Sequence, residues 1–208
     1  KLHAILGDRP RWLAASTHPG EEDIVGRVQQ RLSTAHQGLL SIIVPRHPER
    51  GPTAAAALRA QGLTVALPSE DDAVTPQTEV YIADTLGEMG LFCRLANVVF
   101  MGKSMAAHGG QNPLEPARLG CAVVFGPHMT NFDDIATRMK DVGAAREVAD
   151  EEALAACVGA LLADPATCAA AAAAAKTFAA AEGAILDAVM AALSPYLETL
   201  PDAEEARA

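Results

Sequence analysis

The stretch Leu39-Leu40-Ser41-Ile42-Ile43-Val44, stopped by Pro45, predicts a strand that is buried on both faces, because only one serine interrupts its apolar run. An Ala-rich helix over Thr53–Gln61, closed by Gly62, follows it, and then a further strand over Leu63–Leu67. A strand, a helix and a strand in this order are the unit from which parallel sheets are built. This stretch therefore decides the fold class, which is α/β.

The same alternation continues on both sides of this unit. Further strands are predicted at Trp12–Ala15, Val80–Ala83, Val98–Met101, Ala122–Phe125 and, at an edge, Ala145–Val148. Helices are predicted at Gly20–Ala35, Met89–Ala96, Pro113–Leu119, Phe132–Lys140, Asp150–Ala163 and from Pro165 to about Leu193. We expect a Rossmann-like parallel sheet with helices on both faces over residues 11–197, a linker remnant at 1–10 and an acidic tail at 198–208. Ligands of such sheets bind beyond the carboxyl ends of the strands.

Composition excludes several classes of protein. The 208 residues include 26 Asp and Glu against 16 Lys and Arg, and the resulting charge of -10 argues against general attraction to nucleic acid or anionic lipid. The four cysteines have no zinc-type spacing, so we expect reduced thiols, a cytosolic protein and no bound metal. No run of about eighteen uninterrupted apolar residues predicts a membrane span. The abrupt start suggests a piece of a longer protein that is soluble by itself.

Two loops that follow early strands contain unusual residues. Ser16 and Thr17 are suited to capping the next helix, and Glu21 and Glu22 suit its positive end, which leaves His18 without a structural explanation. The loop Pro45–Arg50 presents Arg46, His47 and Arg50 beside a strand end. A guanidinium is suited to phosphate or carboxylate oxygens, although a solvated turn remains an alternative interpretation.

Two later loops complete the candidate site. Asp84–Gly90 has two glycines that allow close approach to a ligand. Gly102–Ser104 and His108–Pro116 place paired glycines before a helix opened by Asn112 and Pro113, which is a potential anion site, with Glu115 in reach of ribose hydroxyls. An ordinary Gly-rich connection is the alternative. No Walker-type phosphate loop is present in the sequence.

These loops resemble the carboxyl-terminal half of the 3-deoxy-D-manno-octulosonic acid (Kdo) transferases. The resemblance runs from about Arg11 to Lys140. It rests on the following segments: Ala15-Ser16-Thr17-His18-Pro19-Gly20-Glu21-Glu22, Pro45-Arg46-His47-Pro48-Glu49-Arg50, Asp84-Thr85-Leu86-Gly87-Glu88-Met89, Gly109-Gly110-Gln111-Asn112-Pro113-Leu114-Glu115-Pro116-Ala117, Gly126-Pro127-His128 and Asn131-Phe132. It implies the donor-binding half of a two-domain GT-B glycosyltransferase that inverts the anomeric centre without a metal or cofactor.

The resemblance also implies partners and a place of action. The donor is CMP-Kdo, and the acceptor is a lipid A precursor at the cytoplasmic face of the bacterial inner membrane, in lipopolysaccharide synthesis. The catalytic base, a glutamate, and the membrane anchor belong to the amino-terminal half of the family. No catalytic residue is therefore expected in this chain, and by itself it should bind CMP weakly and transfer no Kdo.

Residue roles are implied position by position. The resemblance assigns Arg46, with His47 beside it, to the phosphate or a nearby carboxylate, and Thr17 and His18 to the Kdo side of the cleft. The remaining assignments are backbone contacts to cytosine from Gly87, Glu88 and Met89, phosphate contacts from Ser104, Gly109, Gly110 and Asn112, and a ribose contact from Glu115. In this resemblance, Gln111 stands at a position where many relatives have a histidine.

Two other readings of the residues stay open. One is a different sugar-nucleotide enzyme of the same architecture, such as a UDP-sugar transferase or an epimerase. The other is a non-catalytic interaction module, which would bind no nucleotide.

Overall fold

The computed structural model describes residues 6–85 and 87–197. The predicted acidic tail at 198–208 and the first five residues of the predicted linker lie outside the described residues. The strands are β1 (Arg11–Thr17), β2 (Leu40–Pro45), β3 (Val65–Ala66), β4 (Val80–Ile82), β5 (Val98–Met101), β6 (Ala122–Phe125) and β7 (Ala145–Glu147). The helices are α1 (Glu21–Ser33), α2 (Gly51–Ala60), α3 (Met89–Leu95), α4 (Leu114–Arg118), α5 (Asp133–Asp141), α6 (Glu151–Ala163) and α7 (Pro165–Leu197).

All seven strands pair in parallel, in the order β3-β4-β2-β1-β5-β6-β7. From β1 the chain adds β2 beside it, places β3 at the edge and inserts β4 between β2 and β3, and it then returns to β1 to add β5 on the other side. This reversal creates a switch point between β1 and β5, where the loops leave in opposite directions and open a crevice. The predicted parallel sheet is confirmed, with β7 as the predicted edge strand.

The sheet is covered on both faces. Alternate residues of β1 point to opposite sides, so Trp12 and Ala14 join one apolar cluster while Leu13 and Ala15 join the other. Helices α1, α2 and α6 pack on the first face and α3, α4 and α5 on the second, while α7 begins against the first cluster at Cys168 and continues against the second at Ala175 and Ala179. The predicted Rossmann-like arrangement with two helical layers is therefore confirmed.

Helix α7 is long and apolar enough to be a candidate membrane span, which the sequence analysis did not predict. Within its 31 residues Pro165–Pro195, an 18-residue window reaches a mean hydropathy of 1.4, which by length and composition alone is enough to cross a membrane. The many alanines raise this average. Cys168, Ala175 and Ala179 are buried against the domain, whereas only 7% of that window is buried.

Residues 6–10, part of the predicted linker, also pack on the domain. Leu6 is buried, and the Arg9 guanidinium donates to the carbonyl oxygens of Gly38 and Thr78, both at 2.6 Å. These contacts fix the chain immediately before β1.

Candidate functional site

A small cavity lies at the switch point, at the carboxyl ends of β1 and β5. Its volume is about 80 Å³, and its lining residues are Ala15, Ser16, Met89, Met101, Gln111, Asn112, Glu115 and Pro116. Three of the four predicted loops thus meet at one place, because parallel strands end at the same edge of the sheet. A larger cavity of about 670 Å³ lies at the opposite edge.

A bulge in β1 shapes this cavity. The register of β1 against β2 shifts between Ala15 and Thr17, and Ser16 has a left-handed backbone with φ 54°. A Cβ atom on Gly102 would lie 2.3 Å from the Ser16 carbonyl oxygen, so only glycine permits this close approach of the two strand ends. Bulges and left-handed non-glycine residues are typical of functional sites. The sequence analysis predicts only a helix-capping role for Ser16.

The carboxylate of Glu21 is the main organiser of the inner loops, and the sequence did not predict this role. Glu21 is completely buried. One of its oxygens accepts from the amides of Ser104 and Met105 at 3.0 and 3.1 Å, and the other accepts from the amides of Lys103 and His18 at 2.7 and 2.9 Å. Successive amides form a concave anion site, which here is filled by a side chain of the protein itself.

Glu22 forms a second buried anchor. Its carboxylate accepts from the Thr17 hydroxyl at 3.0 Å and from the Arg50 guanidinium at 3.1 Å. Burial raises the pKa of Glu22, and these two bonds act in the opposite direction. Thr17 is fully buried in this contact. The expectation that Thr17 faces Kdo is therefore wrong, because its hydroxyl points into the fold.

Ser104 also differs from its predicted role in holding phosphate. It is fully buried, its hydroxyl donates to the Met101 carbonyl at 2.5 Å, and the same oxygen accepts from the Gly126 amide at 2.8 Å. Since its own amide donates to Glu21, neither polar group is free for a ligand. Ser104 joins the ends of β5 and β6.

The paired glycines present a further correction. The Gly109 amide donates to the His128 carbonyl at 3.1 Å, and the Gly110 amide donates to the Lys103 carbonyl at 2.7 Å. Both residues are buried and have positive φ angles, so they shape the loop and do not offer free amides. Helix α4 is only five residues long, and the Asn112 side chain accepts from the Leu114 amide at 3.0 Å.

The residues that remain available lie on the outer side of the same edge. Arg46 and His47 are exposed, and the Arg46 amide donates to the Thr17 carbonyl at 3.0 Å, which ties this loop to β1. The ring of His18 lies edge-on to that of His47, with 6.1 Å between centroids. The Gln111 amide nitrogen lies 3.1 Å from His18 Nε2. Burial is the main cause that lowers the pKa of His18.

The predicted cytosine segment borders the cavity. Gly87 is exposed with φ 83°, and Glu88 is exposed with a hydrogen bond from the Thr85 hydroxyl. Met89 is half-buried and lines the cavity together with exposed Glu115. The structure thus brings together Met89, Asn112 and Glu115 in one wall, next to Gln111.

The comparisons with known curated proteins and with solved structures agree on one family. No family model matches the chain. The 3-deoxy-D-manno-octulosonic acid transferase of Haemophilus influenzae is 36% identical over 141 residues, which are 68% of this chain and 33% of that protein. The crystal structure of the C-terminal CMP-Kdo binding domain of WaaA from Acinetobacter baumannii superposes with a TM-score of 0.79 at 31% identity, covering 85% of this chain and 93% of that domain. The chain belongs to the Kdo transferase family.

Within that family the chain corresponds to the carboxyl-terminal domain. It spans about a third to a half of the curated Kdo transferases it matches. The C-terminal domain of a glycosyl transferase group 1 family protein from Francisella tularensis, at 12% identity and a TM-score of 0.58, shares the fold alone. The predicted GT-B half is thereby confirmed.

Proposed function

We propose that this chain is the donor-binding half of a Kdo transferase, an enzyme that moves Kdo from CMP-Kdo to a lipid A precursor. The observation that carries the proposal is the 31% identity over 93% of a domain described as binding CMP-Kdo. The crevice between β1 and β5 supports it, because nucleotides bind at the switch point of doubly wound sheets.

The outer residues are suited to the parts of a CMP-sugar. Exposed Arg46, with His47 beside it, offers planar N–H donors for phosphate or carboxylate oxygens. Asn112 and Gln111 lie at the cavity and bring polar amide groups to the same anion. Glu115 accepts from ribose hydroxyls, and the backbone of Gly87, Glu88 and Met89 meets cytosine. His18 faces the Kdo side.

The inner residues have a different part in this proposal. Thr17 and Ser104 hold strand ends, and Gly109 and Gly110 shape the loop around Lys103. Glu21 occupies the amide cluster of Lys103, Ser104 and Met105, so the donor phosphate binds outside that cluster. The positive groups facing the donor are therefore side chains.

These residue types fit a transfer that inverts the anomeric carbon and uses no metal. Cleavage of the bond from Kdo to CMP leaves growing negative charge on the phosphate, and fixed donors such as Arg46 stabilise that charge more strongly in the transition state than in the bound donor. We propose that the general base and the lipid contact come from the part of the parent enzyme outside this chain. We place that enzyme at the cytoplasmic face of the bacterial inner membrane.

Calorimetry with CMP, UMP and UDP tests the proposal. Cytosine carries an amino donor where uracil carries a carbonyl acceptor, so we expect CMP to bind more tightly than either uracil nucleotide. A preference for UMP or UDP would point to another sugar-nucleotide enzyme, and no binding of any nucleotide would favour an interaction module. We further expect no Kdo transfer by the purified chain, and measurable transfer would overturn the assignment of the base to the other half.

A further inference from the structure

A second cavity of the described chain lies at the amino-terminal edge of the sheet, away from the donor site. Its volume is about 670 Å³, and it lies between the first residues of β1 and β5, the loop before β6, and helices α6 and α7. Strand β1 runs from one edge to the other, and Arg11 in this cavity lies four residues, about 13 Å along the strand, from Ala15 in the small cavity. A cavity of this volume accepts a molecule the size of a mononucleotide.

Positive charge is concentrated in the wall of this cavity, in a chain whose net charge is -10. Four cationic side chains line it, against one carboxylate, Asp8; they are Arg9, Arg11, Arg94 and Lys176. Within residues 6–85 and 87–197, none of the four lies within 4.0 Å of a carboxylate. The cations of this wall are therefore not neutralised by the described part of the protein.

Arg11 carries the most specific signal. Its Nη2 donates to the Gly7 carbonyl at 2.7 Å, whereas its Nη1 is buried and has no hydrogen-bond partner among the described residues. A buried guanidinium nitrogen without a partner is costly, so an anion bound nearby would stabilise the charge of Arg11.

The neighbouring positive charges of Arg9 and Arg11 repel each other. Burial lowers the pKa of Arg9, and the charge of Arg11 lowers it further. Arg9 uses its own N–H groups on backbone carbonyls, including those of Gly38 and Thr78, so it supplies charge and not free donors. Free donors come from exposed Arg94 and from exposed Lys176.

We infer that this cavity is a second binding site, specific for a small multivalent organic anion that carries phosphate or carboxylate groups. Exposed Arg94 and Lys176 hold the anionic groups, the charge of Arg11 adds to their attraction, and the alanine face of α7 around Ala169 and Ala172 packs against the rest of the ligand. The site is independent of the donor proposal, because it lies at the other edge of the sheet.

Titration followed by ¹⁵N–¹H NMR at constant ionic strength tests this inference, with inorganic pyrophosphate and citrate as probes. We expect saturable shifts of the amides of Asn97, Gly120 and Ala169. Tighter binding of pyrophosphate identifies a phosphate-bearing ligand, and tighter binding of citrate a polycarboxylate. CMP added to the same samples reports the donor edge separately, so failure of one site is distinguishable from failure of the other.

Variants with equal changes of charge make the test specific. Arg11→Gln and Lys176→Gln each remove one positive charge from the wall and should each weaken binding about tenfold. Arg118→Gln, on an exposed arginine outside the cavity, should leave binding unchanged. If Arg11→Gln fails to fold, Lys176→Gln decides, because Lys176 is exposed. The inference is overturned if no saturable shifts occur, if they occur only at the carboxyl edge, or if Arg118→Gln weakens binding as much as Lys176→Gln.

Discussion

The inner and outer layers of loops at the carboxyl edge have nearly opposite characters. The inner layer consists of buried polar residues that are paired with one another or with backbone; they are Thr17, Glu21, Glu22 and Ser104. The outer layer contains exposed or half-exposed groups with few partners; they are His18, Arg46, His47, Asn112 and Glu115. The residues of both layers belong to the same short sequence motifs.

This difference separates the residues that build the site from those that are available to a ligand. Adjacent residues divide between the two tasks: Thr17 is fully buried, while His18 lies at the surface of the crevice. Similarly, Arg50 pairs with Glu22, while Arg46 on the same loop stays free for an anion. A motif as a whole therefore indicates a site, but it does not indicate which of its members contact the ligand.

Substitution of Glu21 gives the largest expected effect. In Glu21→Ala four amides lose their acceptor, and at 1 kcal/mol or more for each buried donor the free energy of unfolding should fall by about 4 kcal/mol or more. Urea denaturation measures this loss. Glu152→Ala, at an exposed acid in the first turn of α6, is the control and should change stability little. Equal stability of the two variants would remove Glu21 from the inner layer.

Substitution of Arg46 tests the outer layer. In the full-length enzyme Arg46→Ala should lower turnover about a hundredfold, since removal of one transition-state donor costs about 2.7 to 4 kcal/mol. Its stability in urea should not change, because the Arg46 side chain is exposed. Arg50→Ala is the matched comparison and should instead lose stability through its buried partner Glu22. Near-normal turnover of Arg46→Ala would exclude Arg46 from the site.

Thr17→Val sharpens the comparison with a smaller change. Valine keeps the shape but removes the hydroxyl that donates to Glu22, so the free energy of unfolding should fall by about 1 kcal/mol. CMP affinity by calorimetry should stay the same. Thr130→Val, at an exposed threonine, is the control. A large loss of CMP affinity without a loss of stability would return Thr17 to the ligand-binding residues.

The smallest expected effect is on the titration of His18. Burial lowers its pKa, so NMR of the imidazole protons should give a midpoint below the ordinary value of 6.5. The stability that neutral His18 contributes is then present above pH 6.5 and is lost as the pH falls through the lowered pKa.

Gln111 provides the matched variants for this titration. Gln111→Glu places a negative charge near His18 Nε2 and should raise the midpoint by about one pH unit, whereas uncharged Gln111→Ala should keep it below 6.5. Identical midpoints in both variants would show that Gln111 does not lie beside His18.

Much of the fold follows from the sequence, because the strands are short apolar runs and the helices between them have caps or stops. The run Leu39–Val44 predicts β2 within one residue at each end. Strand β3 is shorter than predicted, since only Val65–Ala66 reach β4. The strand order and the switch point depend on pairing between distant segments, which local patterns do not specify.

The site is predictable in its location but less so in its assignments. Loops after parallel strands converge on one edge, so Met89, Asn112 and Glu115 do meet at a cavity. The partners of Glu21 are more than 80 residues away in sequence, apart from His18, and no local signal indicates that an acid at the start of a helix fills an amide cluster. The same long-range contact explains why the Ser104 assignment is wrong.

A crystal structure of this chain with CMP tests the division between the two layers most directly. We predict that the phosphate lies near Arg46 and the Gln111–Asn112 segment, with Glu115 at the ribose and the Glu21 carboxylate still bound to its four amides. A phosphate that displaces Glu21 from those amides, or that lies among the arginines at the opposite edge of the sheet, would contradict the account.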